Sequence, residues 1–103
     1  MVVAEISLFP LGTGSTSVSR YVAAAVSELE SSGLKCTLGP MGTTVEAGTR
    51  EELYAALSRA QEAIFELGSE RAYTVIKLDE RRDAGHRSAE DMVRSVRESQ
   101  GSE

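Results

Sequence analysis

The sequence predicts an α+β fold of one domain: an antiparallel sheet with two helices on one face in the order β-α-β-β-α-β, the ferredoxin-like pattern, plus a short C-terminal helix. Three observations predict it. Two stretches carry apolar residues at helical spacing: Val18, Tyr21, Val22, Ala25, Val26 and Leu29 in one, and Leu53, Leu57, Ala60, Ile64 and Leu67 in the other. Two outer stretches, Val2 to Phe9 and Arg71 to Leu78, read as strands of alternating faces, and a pair of short β-rich runs lies between the helices. Glycine marks the junctions, at Gly33, Gly39, Gly48 and Gly68.

Taken in order, the first strand places Val2, Ala4, Ile6 and Leu8 on one face, toward the helices, and Val3, Glu5, Ser7 and Phe9 on the other. A turn rich in glycine and hydroxyl groups, Pro10 to Ser17, leads into the first helix, where Ser15, Thr16 or Ser17 is the expected N-cap. Leu34 to Leu38 and Met41 to Ala47 form a hairpin about Gly39-Pro40, with Gly42 marking a bulge or a close backbone approach. Thr49 opens the second helix, and Glu52 three residues later completes a capping box. The last strand puts Ala72, Thr74, Ile76 and Leu78 under the helices and Tyr73, Val75, Lys77 and Asp79 on the opposite face. Ser88 and Asp91 cap a short helix carrying Met92, Val93 and Val96; the domain is expected to span 1–98, with 99–103 frayed.

Composition narrows the function. A chain of 103 residues, 41% hydrophobic and 26% charged, holds one modest core. Its net charge of −5 argues against a general nucleic-acid binder, which needs a concentrated basic face. Cys36 is the only cysteine and His86 the only histidine, so one chain offers neither a disulfide nor a zinc-type ligand set. With no signal-peptide pattern and no apolar run near the roughly 20 residues that span a bilayer, the expected location is the cytoplasm, away from membranes. No nucleophile beside a base and no purposeful carboxylate pair is evident, so no catalytic residue, metal or cofactor is expected.

Several segments together, Ala4-Glu5-Ile6, Pro10-Leu11-Gly12-Thr13-Gly14, Ser19-Arg20-Tyr21-Val22-Ala23, Gly42-Thr43 and Ile76-Lys77-Leu78-Asp79 with Arg81-Arg82-Asp83, resemble the small thiamine-binding-protein family, the YkoF-like proteins. The resemblance runs from about Val3 to Val96. It implies the ferredoxin-like fold, a homotetramer built by sheet-to-sheet packing, and binding of thiamine or its hydroxymethylpyrimidine half. The chain then reads as a carrier, buffer or sensor; the alternatives are a protein-interaction module or an enzyme subunit, because the fold alone hosts many chemistries.

Two segments are candidate ligand walls. Gly12, Thr13, Gly14, Ser15, Thr16 and Ser17 offer backbone that a ligand can approach, free N–H groups at a helix start and short hydroxyls, suited to a phosphate or a ring nitrogen; the plain alternative is a tight turn and a cap. In the other, Gly42 admits a flat ring, Thr43 and Thr44 donate and accept hydrogen bonds, and Glu46 suits an aminopyrimidine; the plain alternative is an ordinary hairpin strand.

On the face away from the helices, Glu5, Ser7, Tyr73, Lys77 and Asp79 mix apolar and charged groups that no helix of the chain is left to cover, so this face is expected to meet another subunit. Arg81 and Arg82 join it as candidates to reach a neighbour's carboxylate or a phosphate, against the alternative of a solvated charge run.

Overall fold

The computed structural model describes residues 1–83, 85 and 87–102, so His86 lies outside the described residues. Its elements are β1 (Val2–Pro10), α1 (Ser19–Ser31), β2 (Lys35–Leu38), β3 (Thr43–Ala47), α2 (Arg50–Glu66), β4 (Ala72–Glu80) and α3 (Ala89–Gly101). The strands form one antiparallel sheet in the order β2-β3-β1-β4, which is the arrangement expected of the split βαβ pattern.

The core lies between the sheet and the α1/α2 layer. Val2, Ala4, Ile6 and Leu8 of β1 and Val45 and Ala47 of β3 point into it, meeting Ala25 and Leu29 of α1 and Leu53, Ala56, Leu57, Ala60 and Ile64 of α2. Period two in the strands and period 3.6 in the helices thus bring both apolar faces together. Leu67 falls just beyond α2, at its C-cap, and is only half-buried. Thr49 caps α2, its hydroxyl accepting from the Glu52 N–H at 3.2 Å. No hydrogen bond returns from the Glu52 side chain to the Thr49 N–H, so the expected box is half formed.

One expectation is corrected at a helix end. The N-cap of α1 is Val18, with no side-chain cap hydrogen bond, rather than Ser15, Thr16 or Ser17. Ser15 Oγ is turned into the loop itself and accepts from the Ser17 N–H at 3.1 Å, a local turn that competes with capping. At the other end of the chain, α3 is helical to Gly101. Its start is a complete capping box: Ser88 Oγ accepts from the Asp91 N–H at 3.1 Å, and Asp91 Oδ2 accepts from the Ser88 N–H at 2.9 Å.

The face of the sheet opposite α1 and α2 is not bare, as the sequence reading had it. The first turn of α3 stands over it, with Ala89, Met92 and Val93 beside Val3, Thr44 and Lys77. Further along, Val93 and Val96 are 59% and 60% exposed. The helix extends the molecule, which measures 49 Å along its longest axis and 18 Å along its shortest.

Candidate functional site

A cavity of about 270 Å³ opens where β1 runs past the end of β3. Strand β3 pairs with β1 only over Val2 to Ile6, whereas β4 pairs with it as far as Pro10. The hairpin ends β3 early because Gly39-Pro40-Met41-Gly42 turns tightly, the Gly39 N–H donating to the Gly42 carbonyl at 2.8 Å. Ser7, Leu8 and Phe9 therefore have the cavity, rather than a strand, on that side. Helix α1 supplies the apolar floor through Val22, Val26 and Leu29, and Leu38 and Met41 form the rim. Met41 is 83% exposed.

Among the described residues no charged one lines this cavity, so any part of a ligand enclosed by it must be neutral to avoid an uncompensated desolvation cost. Its polar groups are few. Thr43 is 3% exposed and lines the cavity, and no described group hydrogen-bonds its hydroxyl. Among the described residues no wholly occluded side-chain polar atom lacks a partner, so this hydroxyl opens onto the cavity, able to donate and to accept. Gly42 beside it allows close approach: a Cβ there would be crowded, 3.1 Å from Glu5 Cγ and 3.2 Å from the Ile6 carbonyl oxygen.

Of the ligand residues expected from sequence, then, Gly42 and Thr43 line the cavity, and Thr44 and Glu46 do not. The strand alternation that turns Thr43 inward turns Thr44 and Glu46 to the opposite face. Thr44 faces the first turn of α3. Glu46 is 7% exposed; its Oε1 accepts from the Ala89 N–H at 3.1 Å, and its Oε2 lies 3.7 Å from Lys35 Nζ. A carboxylate at a helix N-terminus meets both free N–H groups and the positive end of the dipole, so Glu46 fastens α3 to the sheet. Lys35 reinforces the junction through Glu90, 2.9 Å away, and the Glu90 partnership holds the lysine above its ordinary pKa.

The loop of Gly12, Thr13, Gly14, Ser15, Thr16 and Ser17 is not itself among the lining residues, although Phe9 and Val18 on either side of it are. Gly12 and Gly14 both take φ of 79°, the left-handed region that suits glycine. The loop is mostly exposed and bonded internally, with Thr13 Oγ1 donating to the Ser15 carbonyl at 3.4 Å.

On the outer face, Glu5 and Lys77 are register partners with 3.6 Å between Oε1 and Nζ, both solvent-exposed. Tyr73 stacks on Phe9 with ring centroids 5.3 Å apart, and Ser7 lies in register with Val75. Asp79 sits opposite Val3 at the α3 end of that face. Arg81 is already engaged within the chain, its Nε and guanidinium amine meeting the two oxygens of Asp83 at 3.1 and 2.8 Å, which holds the Asp83 carboxyl below its ordinary pKa. Arg82 lies 3.6 Å from Glu80, which Arg50 also meets at 2.9 Å.

What sequence reasoning missed is the part played by α1 and the Leu38–Met41 rim. Val18, Val22 and Val26 read simply as a buried stripe; the signal for an open space above them is the difference in length between β1, at nine residues, and β3, at five. Among the described residues no group of three or more His, Cys, Asp or Glu side chains could hold a metal ion, and no helix is long and apolar enough to cross a membrane.

The fold recurs among known proteins. The chain is 47% identical to a UPF0045 protein of Methanothermobacter thermautotrophicus over 95% of its own length and 98% of the relative's. A crystal structure of a hypothetical protein from Methanocaldococcus jannaschii superposes with a TM-score of 0.84 at 34% identity, covering 94% of this chain and 96% of that one. A candidate thiamine biosynthesis/salvage protein from Thermotoga maritima shares the fold, with a TM-score of 0.76 at 23% identity over 92% of this chain and 97% of that one. A family model for thiamine-binding protein matches residues 4–97, and the chain belongs to that family.

Proposed function

We propose that the chain is a small-molecule binding protein that takes thiamine, or its hydroxymethylpyrimidine half, into the cavity between α1 and the β2–β3 hairpin. It acts as a carrier, buffer or sensor in the cytoplasm rather than as an enzyme. The observation that carries this reading is the uncharged cavity with the open Thr43 hydroxyl in its wall. Thiamine divides into a neutral pyrimidine and a cationic thiazolium. Such a cavity suits the first, while the second stays at the mouth, where a chain of net charge −5 attracts it. Membership of the family and the thiamine name attached to the Thermotoga neighbour support the same ligand class.

Assembly belongs to this reading. The stacked Phe9–Tyr73 pair, half-exposed Val75 and the outward valines of α3 leave apolar surface on the outer side, which a homotetramer packed sheet to sheet would bury.

Titration calorimetry with thiamine, its phosphates and hydroxymethylpyrimidine tests the proposal. Saturable binding at micromolar or tighter affinity, with the pyrimidine sufficient for most of it, is the expected result. Absence of heat with all of them overturns it.

A further inference from the structure

Antiparallel pairing makes successive residues of a strand direct their backbone groups alternately to one neighbour and to the other. The parity of β1 is fixed at both of its sides. Beyond its C-terminal end, the Leu11 N–H donates to the Arg71 carbonyl at 3.0 Å in continuation of the β1–β4 register, so the odd-numbered residues of β1 bond to β4. On the other side, the Gly39–Gly42 bond continues the β2–β3 register and assigns the even-numbered residues of β3 to β2. Thr43, Val45 and Ala47 then bond to Ile6, Ala4 and Val2. Leu8 follows in that series. Its N–H and C=O both point to the side where β3 has ended, and the register would place Met41 opposite it, but Met41 is already in the turn.

Leu8 is buried, it lines the cavity, and no hydrogen bond meets its backbone groups from any described residue. Buried backbone amides are almost always paired, so an unpaired donor and acceptor side by side at a cavity wall call for a partner. The open Thr43 hydroxyl belongs to the residue that ends the ladder next to this gap.

We infer that the exposed β1 edge at Leu8 is the reading element of the site, and that it takes the place of a strand with a planar, neutral heterocycle carrying a ring acceptor next to an exocyclic amine. The Leu8 N–H donates to the ring nitrogen, a carbonyl on this edge accepts from the amine, and Thr43 meets a remaining polar atom of the ring. This rests on the assignment of the cavity as the ligand site. It accounts for recognition of an aminopyrimidine without any carboxylate in the wall, and it makes the selectivity one for the amine-bearing edge rather than for thiamine as a whole.

The test uses the full chain, with 4-amino-5-hydroxymethyl-2-methylpyrimidine, its 4-oxo counterpart and thiamine as probes. Amide exchange and ¹H–¹⁵N spectra are followed residue by residue. The aminopyrimidine is expected to shift the Leu8 amide and to slow its exchange about tenfold or more, and the 4-oxo compound to bind about tenfold more weakly. Leu8→Pro deletes the donor without touching the β4 ladder, since Pro10 already occupies the same parity. It is expected to cost at least about tenfold in affinity while the Ser7 and Phe9 amides stay protected. An aminopyrimidine that binds with the Leu8 amide unchanged overturns the inference but leaves the proposed function. Binding of the aminopyrimidine with the Leu8 signature, but none of thiamine, upholds the inference and upholds the proposed function in its pyrimidine form. Failure of both pyrimidines overturns the inference, and failure of thiamine as well overturns the proposed function. Should the proline variant not fold, the exchange result on the unaltered chain decides.

Discussion

The two halves of β1 have the same alternating sequence and opposite surroundings. Val2 to Ile6 run between β3 and β4, with the helical core on one face and the start of α3 on the other. Ser7 to Pro10 have β4 alone, and the cavity lies where a third strand would be. The closed half has a strand on each side to pair its backbone; the open half has unspent hydrogen-bonding capacity over an apolar floor. The difference arises from hairpin length, not from a special residue type. A turn at Gly39-Pro40-Met41-Gly42 ends β3 early, and an ordinary strand edge becomes a site.

If the halves are independent in this sense, damage to the shared core should be large and indifferent to ligand. Leu53 is fully buried beneath the sheet and does not line the cavity. Leu53→Ala is expected to destabilise the fold by about 2–5 kcal/mol, in the range of large-to-small core truncations. Chemical denaturation would measure it, and affinity for hydroxymethylpyrimidine should be unchanged wherever the protein remains folded.

The converse belongs to the open half. Thr43→Val keeps a β-branched side chain in the strand and removes a hydroxyl that opens onto the cavity. Loss of a neutral hydrogen bond is worth about 0.5–1.5 kcal/mol, so affinity should fall up to about tenfold by calorimetry while the thermal midpoint holds or rises. An unchanged affinity would remove Thr43 from the site.

The closed half was the more legible in the sequence. Its strands and helices follow from the apolar stripes, and Ser88 with Asp91 gives the start of α3 by spacing alone. Burial of Glu46 was not legible, because its partner is the Ala89 N–H, 43 residues away, and no local pattern couples them. Thr43 and Gly42 were found through their residue types, Thr44 and Glu46 were grouped with them by proximity in sequence, and strand alternation separates the two pairs. The cavity floor escaped for a related reason: a valine stripe on a helix looks the same whether a strand or empty space lies above it. Register and turn position decide that, and neither is written in any one residue.

The smallest effect concerns the outer cover of the closed half, and it is set by pH. Asp91 is held below its ordinary pKa, first by the hydrogen bond from the Ser88 backbone N–H and then by the Ser88 side chain. A carboxyl whose pKa is lower in the folded state adds stability above its unfolded value, about 3.9, and loses it as pH falls through the folded value. Acid below about pH 4 should therefore fray the first turn of α3 before it disturbs the core, since protonation removes the acceptor charge that closes the box. Amide exchange resolved by residue would show faster exchange at Asp91 and Met92 under mild acid, with Ile6 and Val45 still protected. Asp91→Asn should flatten that acid step, because an amide closes part of the same box without titrating. A step of unchanged size in the variant would move the acid sensitivity of α3 away from its cap. Either way the cavity, with no Asp, Glu, His, Lys or Arg among the described residues of its wall, adds no acid step of its own, and affinity should fall ahead of unfolding only as the aminopyrimidine ring takes up a proton and ceases to be neutral.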